Sequence, residues 1–198
     1  MKHGYAVFTA AALLGASAFA STANATVKTL TDFSFAATSA ITVVPPGVLL
    51  TAHTVATKSW VAIDVPISLG GLAFGDPVVV SSPITLSVGS TIKLSWDSGT
   101  YSDTLKIDAI NTNPATETLS IDAVGVLVGP GVPTKNTSTL DLAYTQTGGA
   151  HHPISGSGTY TDTTTIPEPA TWAMFTIGFA SLGLLGLRGR RKSQRCAF

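Results

Sequence analysis

Few side chains in this sequence carry chemistry of their own, and their spacing decides how far each can be read. His53 stands alone, and His151-His152 follow Gly148-Gly149. Neighbouring side chains on extended backbone point to opposite sides, and two imidazoles fall short of the three or four ligands that a zinc site takes. No metal site and no cofactor is expected there, and His53 reads as a satisfied strand or loop histidine. Ser157 lies in the run SGSGT without the G-x-S-x-G elbow of a nucleophilic serine, so it reads as part of a strand edge. The acids are spread along the chain, with neither an EF-hand loop nor a glycine-rich calcium repeat. Paired catalytic carboxylates leave no spacing signature, because they need only meet in space. Trp60, Trp96, Tyr101, Tyr144 and Tyr160 are candidates for a carbohydrate-stacking platform, weighed against the commoner role of such residues in the core. Asn136-Thr-Ser has the pattern of a glycosylation sequon. No residue is assigned a catalytic role.

The elements that must position these residues are strands. Between Thr26 and Ile166 the sequence is rich in Thr, Ser, Val, Ile and Gly, in short alternating runs broken by turn residues. Strands are expected at Thr29 to Phe35, Ala40 to Val44, Val48 to Val55, Ser59 to Val65, Val78 to Val80 and Ile84 to Val88. Further strands are expected at Thr91 to Trp96, Thr104 to Ile110, Thr118 to Val128, Leu140 to Thr145 and Gly156 to Thr161. No stretch has a convincing amphipathic helical period. The pattern predicts an all-β antiparallel β-sandwich, Ig-like or jelly-roll-like, with one hydrophobic core. The single cysteine leaves no internal disulfide, so burial alone must stabilise it.

One internal echo gives a register. The stretches beginning at Asp103 and Glu117 share the pattern [DE]-T-L-x-I-D-A-[IV]. Alternation points Leu105, Ile107 and Ala109, and likewise Leu119, Ile121 and Ala123, at the core. Turn chemistry at Asn111 to Ala115 predicts a hairpin with Ile107 near Ile121 and Lys106 near Asp122.

Charge divides the chain more sharply than its zero net value suggests. Residues 1–25 hold only Lys2, residues 26–166 hold five Lys against ten Asp and Glu, and the remainder holds five basic residues against Glu168. The three parts carry +1, −5 and +4, so the neutral whole offers no argument for nucleic acid.

Both ends read as addresses. Lys2, an uncharged apolar run to about Ala20 and then small residues have the three-part form of a secretory signal peptide. Ala23 and Ala25 supply the small side chains that signal peptidase needs, with Ala18 and Ala20 as a second possible site and an uncleaved anchor as the competing reading. At the other end, Ala170 to Leu187 is uncharged; as a helix it would extend about 27 Å, close to the hydrocarbon thickness of a bilayer. Trp172 falls where an interfacial aromatic belongs, and the basic cluster places the C-terminus on the cytoplasmic side. A buried core helix fits less well, because the stretch is apolar all round rather than striped.

Pro167-Glu168-Pro169, Trp172 three positions on, a short apolar stretch and a terminal Arg cluster resemble the PEP-CTERM sorting signal of Gram-negative exported proteins. The resemblance implies Pro167, Glu168, Pro169 and Trp172 as the motif segment (167–172), Ala173 to Leu187 as a transmembrane helix, and a basic tail (188–198) in which Arg188, Arg190, Arg191 and Lys192 form the cytoplasmic stop. It further implies processing by an exosortase, a membrane protease-transpeptidase, and association with exopolysaccharide and biofilm matrix. The physical reading of the motif is an extended, polyproline-like segment, presented as a protease substrate or serving as a rigid linker. A bacterial tail of this kind makes the eukaryotic reading of the Asn136 sequon irrelevant.

The layout expected is therefore a signal peptide (1–25), an exported β domain (26–166) and a sorting signal (167–198), held N-out and C-in at the inner membrane before release to the cell surface or matrix. The domain is expected to be non-enzymatic. The alternative is a carbohydrate-binding module or weak glycan enzyme built on the aromatics. A third reading rests on the T-x-T pairs Thr29/Thr31, Thr116/Thr118, Thr137/Thr139, Thr145/Thr147 and Thr163/Thr165, whose paired hydroxyls resemble ice-binding surfaces. The irregular spacing of these pairs fits the ordinary β-propensity of threonine better.

Overall fold

The computed structural model describes residues 25–167 and 177–181. Ala23, Glu168, Pro169, Trp172, Arg188, Arg190, Arg191 and Lys192 lie outside the described residues, as do most of the expected signal helix and most of the expected span. Residues 177–181 are helical, and among the described residues no helix is long and apolar enough to cross a membrane.

Val27–Thr165 forms one compact unit built almost wholly of strands. In chain order these are β1 (Ala25–Ala37), β2 (Thr42–Val44), β3 (Thr54–Ala56), β4 (Trp60–Ile67), β5 (Pro77–Val80) and β6 (Ile84–Thr85). They are followed by β7 (Thr91–Trp96), β8 (Tyr101–Asn113), β9 (Thr118–Gly125), β10 (Leu127–Val128), β11 (Asn136–Gln146) and β12 (Ile154–Pro167). The main sheet runs β10-β8-β7-β5-β4-β1-β12-β11-β9, and β9 pairs in turn with β8. The all-β antiparallel class is as expected, but the architecture differs from two facing sheets: one large sheet closes on itself. The long β8 makes closure possible. Its first half, Tyr101 to Lys106, pairs with β7, while Lys106 to Asn113 pairs with β9. Closure gives each ring strand a partner on both sides, the arrangement that protects a β protein from edge-to-edge association. A separate three-stranded sheet, β2-β3-β6, accompanies it.

Alternation fills the ring. Phe33 and Phe35 of β1, Trp60 and Ala62 of β4, Ile92, Leu94 and Trp96 of β7, Leu105 and Ile107 of β8, and Leu140, Leu142 and Tyr144 of β11 are all buried, while their sequence neighbours are less so. Each large apolar side chain removed from water contributes about 1.5–3 kcal/mol. An apolar interior with Thr and Ser outside is the inverse of what a lipid-facing barrel presents. Gly158 shows how tight the filling is: a Cβ there would run into the Phe35 ring and lie 2.8 Å from Leu142 Cδ2.

Three local expectations differ in detail. The β8–β9 hairpin forms, with Ile107 and Ile121 both buried, but Ile107 faces Ala123 and Lys106 faces Val124. A bulge between Ile107 and Ala109 then shifts the ladder so that Ile110 meets Ile121 and Ala109 meets Asp122. The turn is shorter than expected because β8 continues to Asn113, whose side chain accepts from the Ala115 amide at 3.0 Å. Second, the strand expected over Thr118 to Val128 breaks between Gly125 and Leu127, where the Val126 amide donates to Asp103 Oδ1 at 3.0 Å. Third, Val48 to Val55 is not one strand: Leu49–Thr51 is a 3-10 turn. The Gln146 side chain draws it in, accepting from the Leu49 amide at 2.8 Å and donating to the Gly47 carbonyl at 3.0 Å.

Candidate functional site

The most unusual chemistry of the domain lies inside the ring. Asp103 occupies an inward position of β8, in phase with Leu105 and Ile107, and is only 2% exposed. A carboxylate at such a position must be hydrogen-bonded to be tolerated, and Asp103 is. Oδ1 accepts from the Val126 amide; Oδ2 accepts from the Ser138 hydroxyl and, at 2.8 Å, from the Tyr160 hydroxyl. One side chain thus ties β8 to the β9–β10 break, to β11 and to β12. Gly125 makes room for the tie, since a Cβ there would collide with Asp103 Oδ1.

Asp162 lies two residues beyond Tyr160 on β12, opposite Ser138 of β11. It is fully buried, and neither carboxylate oxygen has a hydrogen-bond partner. Burial, joined by the neighbouring Asp103 charge, pushes its pKa up to about 6; the Thr163 amide offsets part of this without reaching hydrogen-bond geometry. Burial and the same two carboxylates push the Tyr160 phenol far above its ordinary range, so it stays a donor. Burial likewise raises the Tyr144 phenol, whose hydroxyl is also without a partner. Asp103, Ser138, Tyr160 and Asp162 are all closed to solvent, so the barrel as it stands admits no substrate to the two carboxylates.

Of the described residues picked out from sequence, Tyr160 belongs to this cluster and the others lie elsewhere. Trp60, Trp96, Tyr101, Tyr144 and Tyr160 are all buried, which removes the stacking platform. They form a core network instead: Trp96 stacks on Tyr101 at 5.6 Å, and Phe33 meets Trp96 edge-on at 5.1 Å. Alternation turned every one of them inward. His53 is exposed and engaged through its backbone, its amide donating to the Val44 carbonyl. His151, in a left-handed conformation with φ 67°, closes over Gly47, whose carbonyl accepts its amide at 2.7 Å. Among the described residues, no group of three or more His, Cys, Asp or Glu could hold a metal ion. Ser157 is exposed on β12, opposite Ala143. Asn136 is buried: its amide oxygen accepts from the Leu127 amide, and its nitrogen donates to the Leu127 and Pro133 carbonyls.

Sequence reading missed the Asp103–Asp162 pair, and the signal was present. Asp103 shares the phase of Leu105 and Ile107, and Asp162 shares that of Tyr160. A charge on the core phase of a strand marks a special position.

A closed β domain of this kind, joined to a tail of motif, apolar stretch and basic cluster, has the layout of an exported protein with a C-terminal sorting signal. Residues 165–192 match the family model of the PEP-CTERM protein-sorting motif. The chain therefore carries a PEP-CTERM sorting signal, which implies export and processing by exosortase, a membrane enzyme. No curated protein matches the chain.

Proposed function

We propose that this is a non-enzymatic exported protein of the cell surface or extracellular matrix. Signal peptidase removes residues 1–25, the stretch 173–187 holds the chain N-out and C-in at the inner membrane, and exosortase then releases or transfers the acidic β domain. The observation that carries this reading is the complete motif, apolar stretch and basic cluster within residues 165–192. Exopolysaccharide is the destination that the resemblance suggests. The aromatic burial described above weakens a carbohydrate-binding module, because no tryptophan of the domain is free to stack on a sugar.

Intact-mass measurement of the protein from wild-type and exosortase-deleted cells tests the reading. The expected result is loss of both ends in wild-type cells and retention of the tail in the mutant. Identical masses in the two strains would overturn it.

A second reading has one observation in its favour. In the β11–β12 ladder Thr137 faces Thr163 and Thr139 faces Thr161 on the outer side, so threonines irregular in sequence become neighbours in space. An ice-ordering surface would use such hydroxyl rows. Thermal hysteresis in the purified protein is the expected signature of that reading, and its absence disposes of it.

A further inference from the structure

Among the described residues, the interior of the ring holds two carboxylates and no counter-charge. All five lysines of the domain (Lys28, Lys58, Lys93, Lys106 and Lys135) are exposed, and so are His53, His151 and His152. Asp103 spends its oxygens on Val126, Ser138 and Tyr160, whereas Asp162, 0% exposed, has the Thr163 amide nearby but no partner in hydrogen-bond geometry. Two adjacent buried anions without a cation are not a tolerable arrangement. We propose that Asp162, buried beside the hydrogen-bonded Asp103 with no cation to meet it, is held as the neutral acid, and that its proton makes the barrel a pH-dependent lock.

The surroundings leave Asp162 to set the titration. β8 contributes Asp103; β11 contributes the uncharged Ser138; β12 contributes Tyr160, whose phenol stays protonated. The buried side chains of β1 next in line are Thr31 and Phe33, and its Asp32 instead accepts from the Thr161 hydroxyl at 3.2 Å. β7 contributes Trp96, whose indole donates to the Leu69 carbonyl. A metal ion is the weaker occupant, because two carboxylates, one already saturated with donors, fall well short of the six or more oxygens that calcium takes.

The sign follows from linkage. An aspartate has an ordinary value of 3.8, while Asp162 in the folded domain is pushed up to about 6. Below the lower value both states hold the proton. Between the two, the unfolded chain releases it and the folded domain retains it, so stability is lost as pH rises through this window and levels off above it.

Thermal melting of the full-length chain in detergent, from about pH 4 to 7.5, tests the proposal. The wild type is expected to lose several degrees of Tm across the window. Asp162→Asn keeps the shape of the neutral acid, so it should remove most of that loss, leaving the part due to Asp141, which burial and the Asp122 charge also raise, and should melt above the wild type at neutral pH. An unchanged slope in Asp162→Asn would overturn the proposal. So would a rise in wild-type Tm with calcium that Asp162→Asn abolishes, because the occupant would then be a cation. Should the variant not fold, the wild type alone decides: the infrared carbonyl band of a protonated buried acid must be present at about pH 5 and fade as pH approaches neutrality. A spectrum without it would mean that Asp162 is not held neutral, and would overturn the proposal.

Discussion

At the scale of single residues, the domain separates polar groups that hold it together from polar groups that it merely tolerates, and two tyrosines make the comparison direct. Tyr144 and Tyr160 are both fully buried inside the ring, on neighbouring strands. Tyr160 donates to Asp103 at 2.8 Å, whereas the Tyr144 hydroxyl has no partner. Removing a hydroxyl with a charged partner loses a bond worth about 1.5–3 kcal/mol and leaves Asp103 short of a donor. Removing an orphaned one relieves a desolvation cost. Tyr160→Phe is therefore expected to destabilise the protein by about 2 kcal/mol, and Tyr144→Phe to leave it unchanged or stabilise it by up to about 1 kcal/mol. Urea unfolding midpoints check both, and equal losses in the two variants would contradict the hydrogen-bond assignment. Gly158 gives a prediction of the opposite kind, since its Cβ position is already taken by the Phe35 ring. Gly158→Ala overpacks the core and should cost about 1–3 kcal/mol in the same measurement.

At the scale of elements, alternation made most strands readable and left the joins unreadable. β7 begins and ends where the sequence predicts, at Thr91 and Trp96, because an apolar residue at every second position admits one inward phase. Phase also gave the right face for Ile107 and Ile121. It could not give the exact register, since shifting the partner by two residues preserves the face, and the bulge between Ile107 and Ala109 uses that freedom. Closure was illegible for a related reason: nothing in the local pattern of β8 records that its two halves pair with different strands. The Asp103 tie and the Gln146 bridge connect positions far apart in sequence, so no short window along the chain contains them. Glu117 is a further tie of this sort. Left-handed at φ 49°, it sits in the β8–β9 turn, and its Oε2 accepts from the Gly148 and Gly149 amides of the β11–β12 turn at 3.1 Å each. Glu117→Ala should release both turns together. Amide exchange at Gly148 and Gly149 is expected to quicken, with a stability loss of about 1–2 kcal/mol. Unchanged exchange at both glycines would show that the turns stand independently.

At the scale of the whole molecule, charge and sorting belong to one physical description. The neutral chain is a −5 domain followed by a +4 remainder, and a basic cluster resists transfer across the inner membrane. A cut near Pro167 would separate the two, leaving an acidic domain whose compact unit, Val27–Thr165, ends before the motif. Destroying the motif should therefore change where the protein goes without changing how it folds. In the triple variant Pro167→Ala, Glu168→Ala, Pro169→Ala, the extended shape that two prolines impose is lost together with the acid between them. The tail is expected to remain uncut and the protein to stay in the membrane fraction, visible as a higher intact mass. The melting temperature of the variant should equal that of an uncut wild-type sample, because Pro167 is the last residue of β12 and the compact unit ends at Thr165. A processed mass identical to the wild type would mean that the protease reads something other than these three residues. A lowered melting temperature with unchanged processing would instead make the segment part of the fold. Separating these outcomes requires mass and stability to be measured on the same preparation, since an unstable domain would also be lost from the cell without any fault in sorting.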